Sequence, residues 1–195
     1  MKHQGKRSGL RVVNGRMRHI LFTALLPLIP LAAGATQITV QVDGLACPFC
    51  VYGIEKKLMN VSGVNDVEID LDSGLAVLTG MEGKIPLQSD IRKAVERAGF
   101  APGAITISVA GTISLEGQIS RLNTSDPQRD FLLLPTNTGN SDESLTGTQV
   151  RLAKFAVEKK RVLVTGTWRE NDDGEQQLFI EEVKEIPAQA PVETR

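Results

Sequence analysis

Apolar and polar residues alternate over 36–43, where Ile38, Val40 and Val42 take every second place in TQITVQVD. A period of two puts those side chains on one face of a half-buried strand. After a short loop the period lengthens. Val51, Ile54, Leu58 and Val61 recur three and four residues apart, so a helix with one apolar face is predicted over about 49–60. Ser62-Gly63 ends it, because Gly accepts the left-handed backbone that closes helices. Val64, Val67, Ile69 and Leu71 predict a second strand, Asp72-Ser73-Gly74 a tight turn, and Leu75 to Thr79 a third strand. Pro86 opens a second helix near 87–98 with Ile91, Val95 and Ala98 on one face, and Gly99 stops it. Ile105, Ile107 and Val109 predict a fourth strand.

The second half has short strand patterns separated by turn residues. They fall at Gly111 to Leu115, Gln118 to Leu122 and Phe131 to Leu134, then, after a polar loop from Pro135 to Gly147, at 148–156, 161–168 and 178–186. VAGTI at 109–113 and VTGTW at 164–168 are alike, and the first is a candidate junction between two domains. The expected fold class is α+β. A ferredoxin-like βαββαβ domain over 36–109, with two helices on one face of an antiparallel sheet, is followed by a small all-β domain over 110–187. Closing the later strands into a barrel would remove their exposed edges. Residues 188–195 are expected to be a flexible tail.

Charge changes the picture at the start of the chain. Lys2, Lys6, Arg7, Arg11, Arg16 and Arg18 precede an uncharged run, ILFTALLPLIPLAAGA at 20–35, that ends in Ala33-Gly34-Ala35. A basic flank, a short apolar run and small residues at the cut are the features of a secretory signal peptide, here 1–35. The run is short for a span of about 20 residues and holds Pro27 and Pro30, so no stable membrane span is expected after cleavage. The expected location is the periplasm, with a membrane-anchored form as the alternative if the segment is retained. Of 22 basic residues, removing those six leaves 16 against 23 acidic ones, a net charge near −7. That balance, with only 4% aromatic residues, argues against a nucleic-acid partner. His3 and His19 leave with the leader, which excludes histidine general-base catalysis and histidine-based zinc sites. The later half also offers no paired-carboxylate, phosphate-loop or nucleophile motif with supporting context, so a metal-binding or transport protein is favoured over an enzyme.

The chemistry concentrates in Gly44-Leu45-Ala46-Cys47-Pro48-Phe49-Cys50, which holds the two cysteines of the chain. They fall between a predicted strand and a helix start, where unpaired N–H groups and the helix dipole stabilise negative sulfur. Pro48 near the first helical position fixes the loop without removing a needed donor. Two thiolates this close can converge on one soft ion, Cu(I) or Hg(II), in nearly linear coordination. Zinc is disfavoured because four ligands are wanted and the mature chain offers two. Two other readings stay open. Thiol–disulfide exchange by a periplasmic oxidoreductase suits a CxxC with a Pro-Phe interior in an oxidising compartment, although the predicted element order differs from a thioredoxin. A structural disulfide in a non-catalytic interaction module would close a very small loop and contribute little.

The stretch 38–109 resembles the heavy-metal-associated domain family: small copper chaperones, metal-ATPase N-terminal modules and periplasmic mercury-binding proteins. Gly44, Cys47 and Cys50, the helix VYGIEKKLMNV, the exit Ser62-Gly63-Val64 and Ala98-Gly99-Phe100 carry the resemblance. It implies that Cys47 and Cys50 bind the metal. It also implies a metal-donor or acceptor protein, or a membrane metal transporter, as partner, with a metal-bridged dimer as one form. Leu45 stands where the family has a Met that packs beneath the loop. Phe100 is expected near the cysteine loop, and Met59 and Met81 are expected to serve packing. The later half resembles an oligonucleotide/oligosaccharide-binding (OB) barrel through Val164-Thr165-Gly166-Thr167 and the strand from Leu178 to Ile186.

Overall fold

Strand β1 (Gln37–Asp43) buries Ile38, Val40 and Val42 and leaves the alternate residues outside, as its period of two requires. The computed structural model describes residues 36–45, 48–136 and 142–187, so the expected leader 1–35 and tail 188–195 lie outside the described residues. After β1 come α1 (Pro48–Met59), β2 (Val64–Asp70), β3 (Leu75–Gly80), α2 (Gln88–Arg97) and β4 (Ala101–Glu116). The strand order β2-β3-β1-β4 is antiparallel at every step. Ile54 and Leu58 of α1 and Ile91 and Val95 of α2 are fully buried against this sheet's apolar core. This is the ferredoxin-like arrangement, and it forms because each helix has one apolar stripe and the sheet one apolar face.

Strand β4 is long, and the expected junction near 109–113 falls inside it. At 16 residues it extends roughly 50 Å. Its first part pairs with β1 as far as Ser108, and β5 (Ile119–Thr124) takes over the same edge from Gly111. On the other edge Thr106 to Thr112 pair with β7 (Arg161–Glu170). Gly111 to Leu115, expected as a separate strand, is therefore the continuation of β4. The remaining strands are β6 (Phe131–Pro135) and β8 (Gln176–Glu185). β5 pairs with β6, β6 runs parallel to β8, β8 pairs with β7, and β7 returns to β4.

The later half is not all-β as expected. Residues 142–147 of the expected polar loop and the expected strand at 148–156 together form a third helix, α3 (Asp142–Val157). The segment TQVRLAKFAV mimics alternation through Val150 and Leu152. The buried Leu152, with Phe155 and Ala156 packed partly against the core, instead follows the three- and four-residue spacing of a helix. A helix also explains the connection from β6 to β7. The strand that returns beside β6 in parallel, β8, has to be reached through a crossover.

The core is continuous across both halves, from Ile38 and Ile54 to Phe131, Trp168 and Leu178. Trp168 meets Phe131 edge-on, with centroids 5.9 Å apart, and its Nε1 donates to Gln176 Oε1 at 2.7 Å. Gln88, buried at the start of α2, donates to the Trp168 carbonyl at 2.6 Å. Asp126, in the β5–β6 connection, accepts from the Ile85 amide at 2.9 Å. Among the described residues no helix is long and apolar enough to cross a membrane.

Candidate metal centre

The chain leaves β1 at Asp43 and turns at Gly44, whose φ of 83° suits a residue without Cβ. Leu45 then turns inward into the core and is 5% exposed. The helix opens at Pro48, a residue with no N–H to leave unpaired. Cys50 is the third residue of α1 and is half-buried. Cys47 lies outside the described residues. The first turn of α1 carries no acidic side chain, while Lys56 and Lys57 occupy its last turn. Both features leave the positive end of the helix dipole facing the Cys50 end, where a thiolate gains from it.

Two loops accompany this junction. Asp43 pairs with Ala101, so Phe100 stands one residue from the point where the cysteine loop departs. Phe100 is half-buried against the core, its amide bonded to the Val95 carbonyl at 3.2 Å, and Arg92 Nη1 donates to the Pro102 carbonyl at 3.2 Å. The β2–β3 turn arrives on the other side, with the Val42 amide donating to the Gly74 carbonyl at 2.8 Å. There the Ser73 hydroxyl, 2.6 Å from Asp70 Oδ2, holds the Asp70 carboxyl below the usual aspartate range, helped by the Asp72 amide.

Met59 and Met81 stand apart from Cys50. Met59 is nine residues further along α1, roughly 14 Å. Met81 is tied by its amide to the Gly63 carbonyl at 2.8 Å, beyond the helix's far end. Beside Cys50 stand Phe49, from the Pro-Phe interior, and Tyr52, which the sequence analysis did not single out; they are 93% and 71% exposed. Their i, i+3 spacing on the side away from Ile54 and Leu58 is the signal that would have found them.

The fold and the loop define a ferredoxin-like domain with its Cys-Pro-Phe-Cys segment at a strand-to-helix junction. The heavy-metal-associated domain family matches residues 39–101. The mercuric transport protein periplasmic component of Pseudomonas fluorescens is 31% identical over 71 residues, 36% of this chain and 77% of that protein. The copper chaperone CopZ of Bacillus subtilis (strain 168) is 31% identical over 64 residues, 33% of this chain and 91% of that protein. Human copper-transporting ATPase 2 is 31% identical over 116 residues, which is 60% of this chain but only 8% of that protein. The chain belongs to the heavy-metal-associated domain family. The family match ends at residue 101, so β5 to β8 and α3 lie beyond it.

Proposed function

We propose that this protein binds a soft heavy-metal ion, Cu(I) or Hg(II), between Cys47 and Cys50 and passes it on or holds it. The observation that carries the reading is Cys50 in the first turn of a helix with no acid there, a few residues after β1 ends and Leu45 enters the core. Two thiolates satisfy a soft ion that accepts linear coordination. Transfer proceeds by ligand exchange. An acceptor thiolate attacks the bound ion, a three-coordinate intermediate forms, and one original sulfur leaves, so no bond in an organic substrate breaks. The relatives named for copper chaperoning, mercuric transport and copper-transporting ATPase activity support a metal-donor or acceptor protein, or a membrane transporter, as partner.

A periplasmic setting is part of the proposal. It rests on the basic-then-apolar segment ending at Ala35 and on the periplasmic relative. The domain limits proposed are 36–109 for the metal-binding part and 110–187 for the rest, with β4 shared between them. The cycle of pairings β4-β5-β6-β8-β7-β4 supports reading the second part as a small OB-like barrel.

The test is an anaerobic titration of the reduced chain with Cu(I) against a competing chelator, beside a variant carrying Cys47→Ser and Cys50→Ser. One ion per chain, or one shared by two chains, that vanishes in the variant is expected. Failure of the verified-reduced chain to compete overturns Cu(I), and the same result with Hg(II) overturns the proposal.

A further inference from the structure

At the end of the molecule where α1 finishes, two cavities adjoin. One, of about 390 Å³, opens between the β3–α2 connection, with Lys84, and the β5–β6 connection, with Arg129. The other, of about 480 Å³, lies between the end of α1 and α2 and is edged by Lys57 and Arg97. Ser62 and Asp90 belong to the walls of both. Each volume is in the range that takes a small molecule.

The charge of the cleft runs against that of the chain. Residues 36–195 hold more acids than bases, 23 against 16. The linings of the two cavities reverse that balance, with four bases, Lys57, Lys84, Arg97 and Arg129, against two acids, Asp90 and Asp126. Among the described residues, Lys57, Lys84, Arg97 and Arg129 make no ion pair. Arg129 is half-buried, and its Nε donates to the Ile85 carbonyl at 3.4 Å. Asp126, three residues before it, is committed to the Ile85 and Gln128 amides at 2.9 and 3.0 Å, and among the described residues the adjacent Asp130 makes no ion pair with it. Those bonds fix one wall of the first cavity against the other. The wall from Asp126 to Arg129 lies beyond the family match, so the first cavity has one wall from each half of the chain, while the second is lined within the matched part.

We propose that this cleft binds a small organic polyanion, bearing phosphate or carboxylate groups. One charged group sits by Lys84 and Arg129, the other by Lys57 and Arg97. Asp90, 3.9 Å from Lys93 at the shared wall, stands between the two charged groups. This site is separate from Cys47 and Cys50, and its occupancy does not depend on metal.

Calorimetric titration of the full chain tests this, with fructose 1,6-bisphosphate as the phosphate probe, citrate as the carboxylate probe and inorganic phosphate as the single-anion reference. The expected result is one molecule of at least one organic probe per chain, bound at least about tenfold more tightly than inorganic phosphate. Which probe binds assigns the anion type. Lys84→Ala and Arg97→Ala, both at exposed positions, are each expected to weaken binding about tenfold. Lys184→Ala, which removes a lysine paired with Glu182 elsewhere, and the Cys47→Ser/Cys50→Ser variant are expected to bind as before. The proposal is overturned if neither organic probe binds, if both bind no better than inorganic phosphate, or if Lys184→Ala weakens binding as much as Lys84→Ala.

Discussion

Gly166 shows how much one residue can carry. It sits at a register shift between β7 and β8, and a Cβ built there falls on the Phe179 carbonyl. The two strands approach so closely only because position 166 has no side chain. Gly166→Ala is expected to cost about 1–3 kcal/mol through forced strand displacement. The check is thermal unfolding, with a fall in Tm of about 2–4 °C per kcal/mol. Asp70 gives a residue-scale prediction of the other kind. Its carboxyl is held low chiefly by the Ser73 hydroxyl. A depressed folded pKa contributes stability above the ordinary aspartate value, and that contribution is lost as pH falls through the folded value. Ser73→Ala is expected to raise the Asp70 pKa toward the ordinary value, read by carboxyl NMR titration. An unchanged titration would assign the effect to the Asp72 amide instead.

At the scale of elements, legibility tracked the kind of force that fixes each one. β1, α1 and α2 were readable because a single apolar face decides them, and the pattern Ile38-Val40-Val42 or Ile54-Leu58 records that face directly. The position of Cys50 at a helix start was readable because the apolar period changes from two to three and four after Val42. Helix α3 was misread because, among its described side chains, Leu152 is alone at full depth, so Val150 two residues away imitated a strand. The continuity of β4 was hidden by Ala110 and Gly111, which break the apolar run. Gly111 faces the Asn123 carbonyl and the Leu122 side chain, a close approach that no local period reports. If Leu152 is what docks α3, Leu152→Ala is expected to cost about 2–5 kcal/mol, measured by urea unfolding. A loss below about 0.5 kcal/mol would mean that Phe155 and Ala156 hold the helix instead.

For the whole molecule, the question is whether the two halves behave as one. They share β4, one continuous core, the Gln88 bond to Trp168 and the Asp126 bond to Ile85. The junction within β4 was readable at 109–113, but the two hydrogen bonds were not, because they join residues 41 and 80 apart and hydrophobic period is a local signal. Their consequence is cooperative unfolding. Trp168, the single tryptophan, reports the second half by fluorescence. The amides of Ile38 to Val42 report the first half by hydrogen exchange. Coincident urea midpoints are expected from the two probes. Asp126→Ala removes the clamp and leaves the Ile85 amide buried without its partner, a loss of about 1–3 kcal/mol. Because the clamp joins both halves, that variant should lower the two midpoints together. Separated midpoints would show instead that β4 joins two independently stable bodies. The metal-binding part would then move relative to the wall that closes the anion cleft.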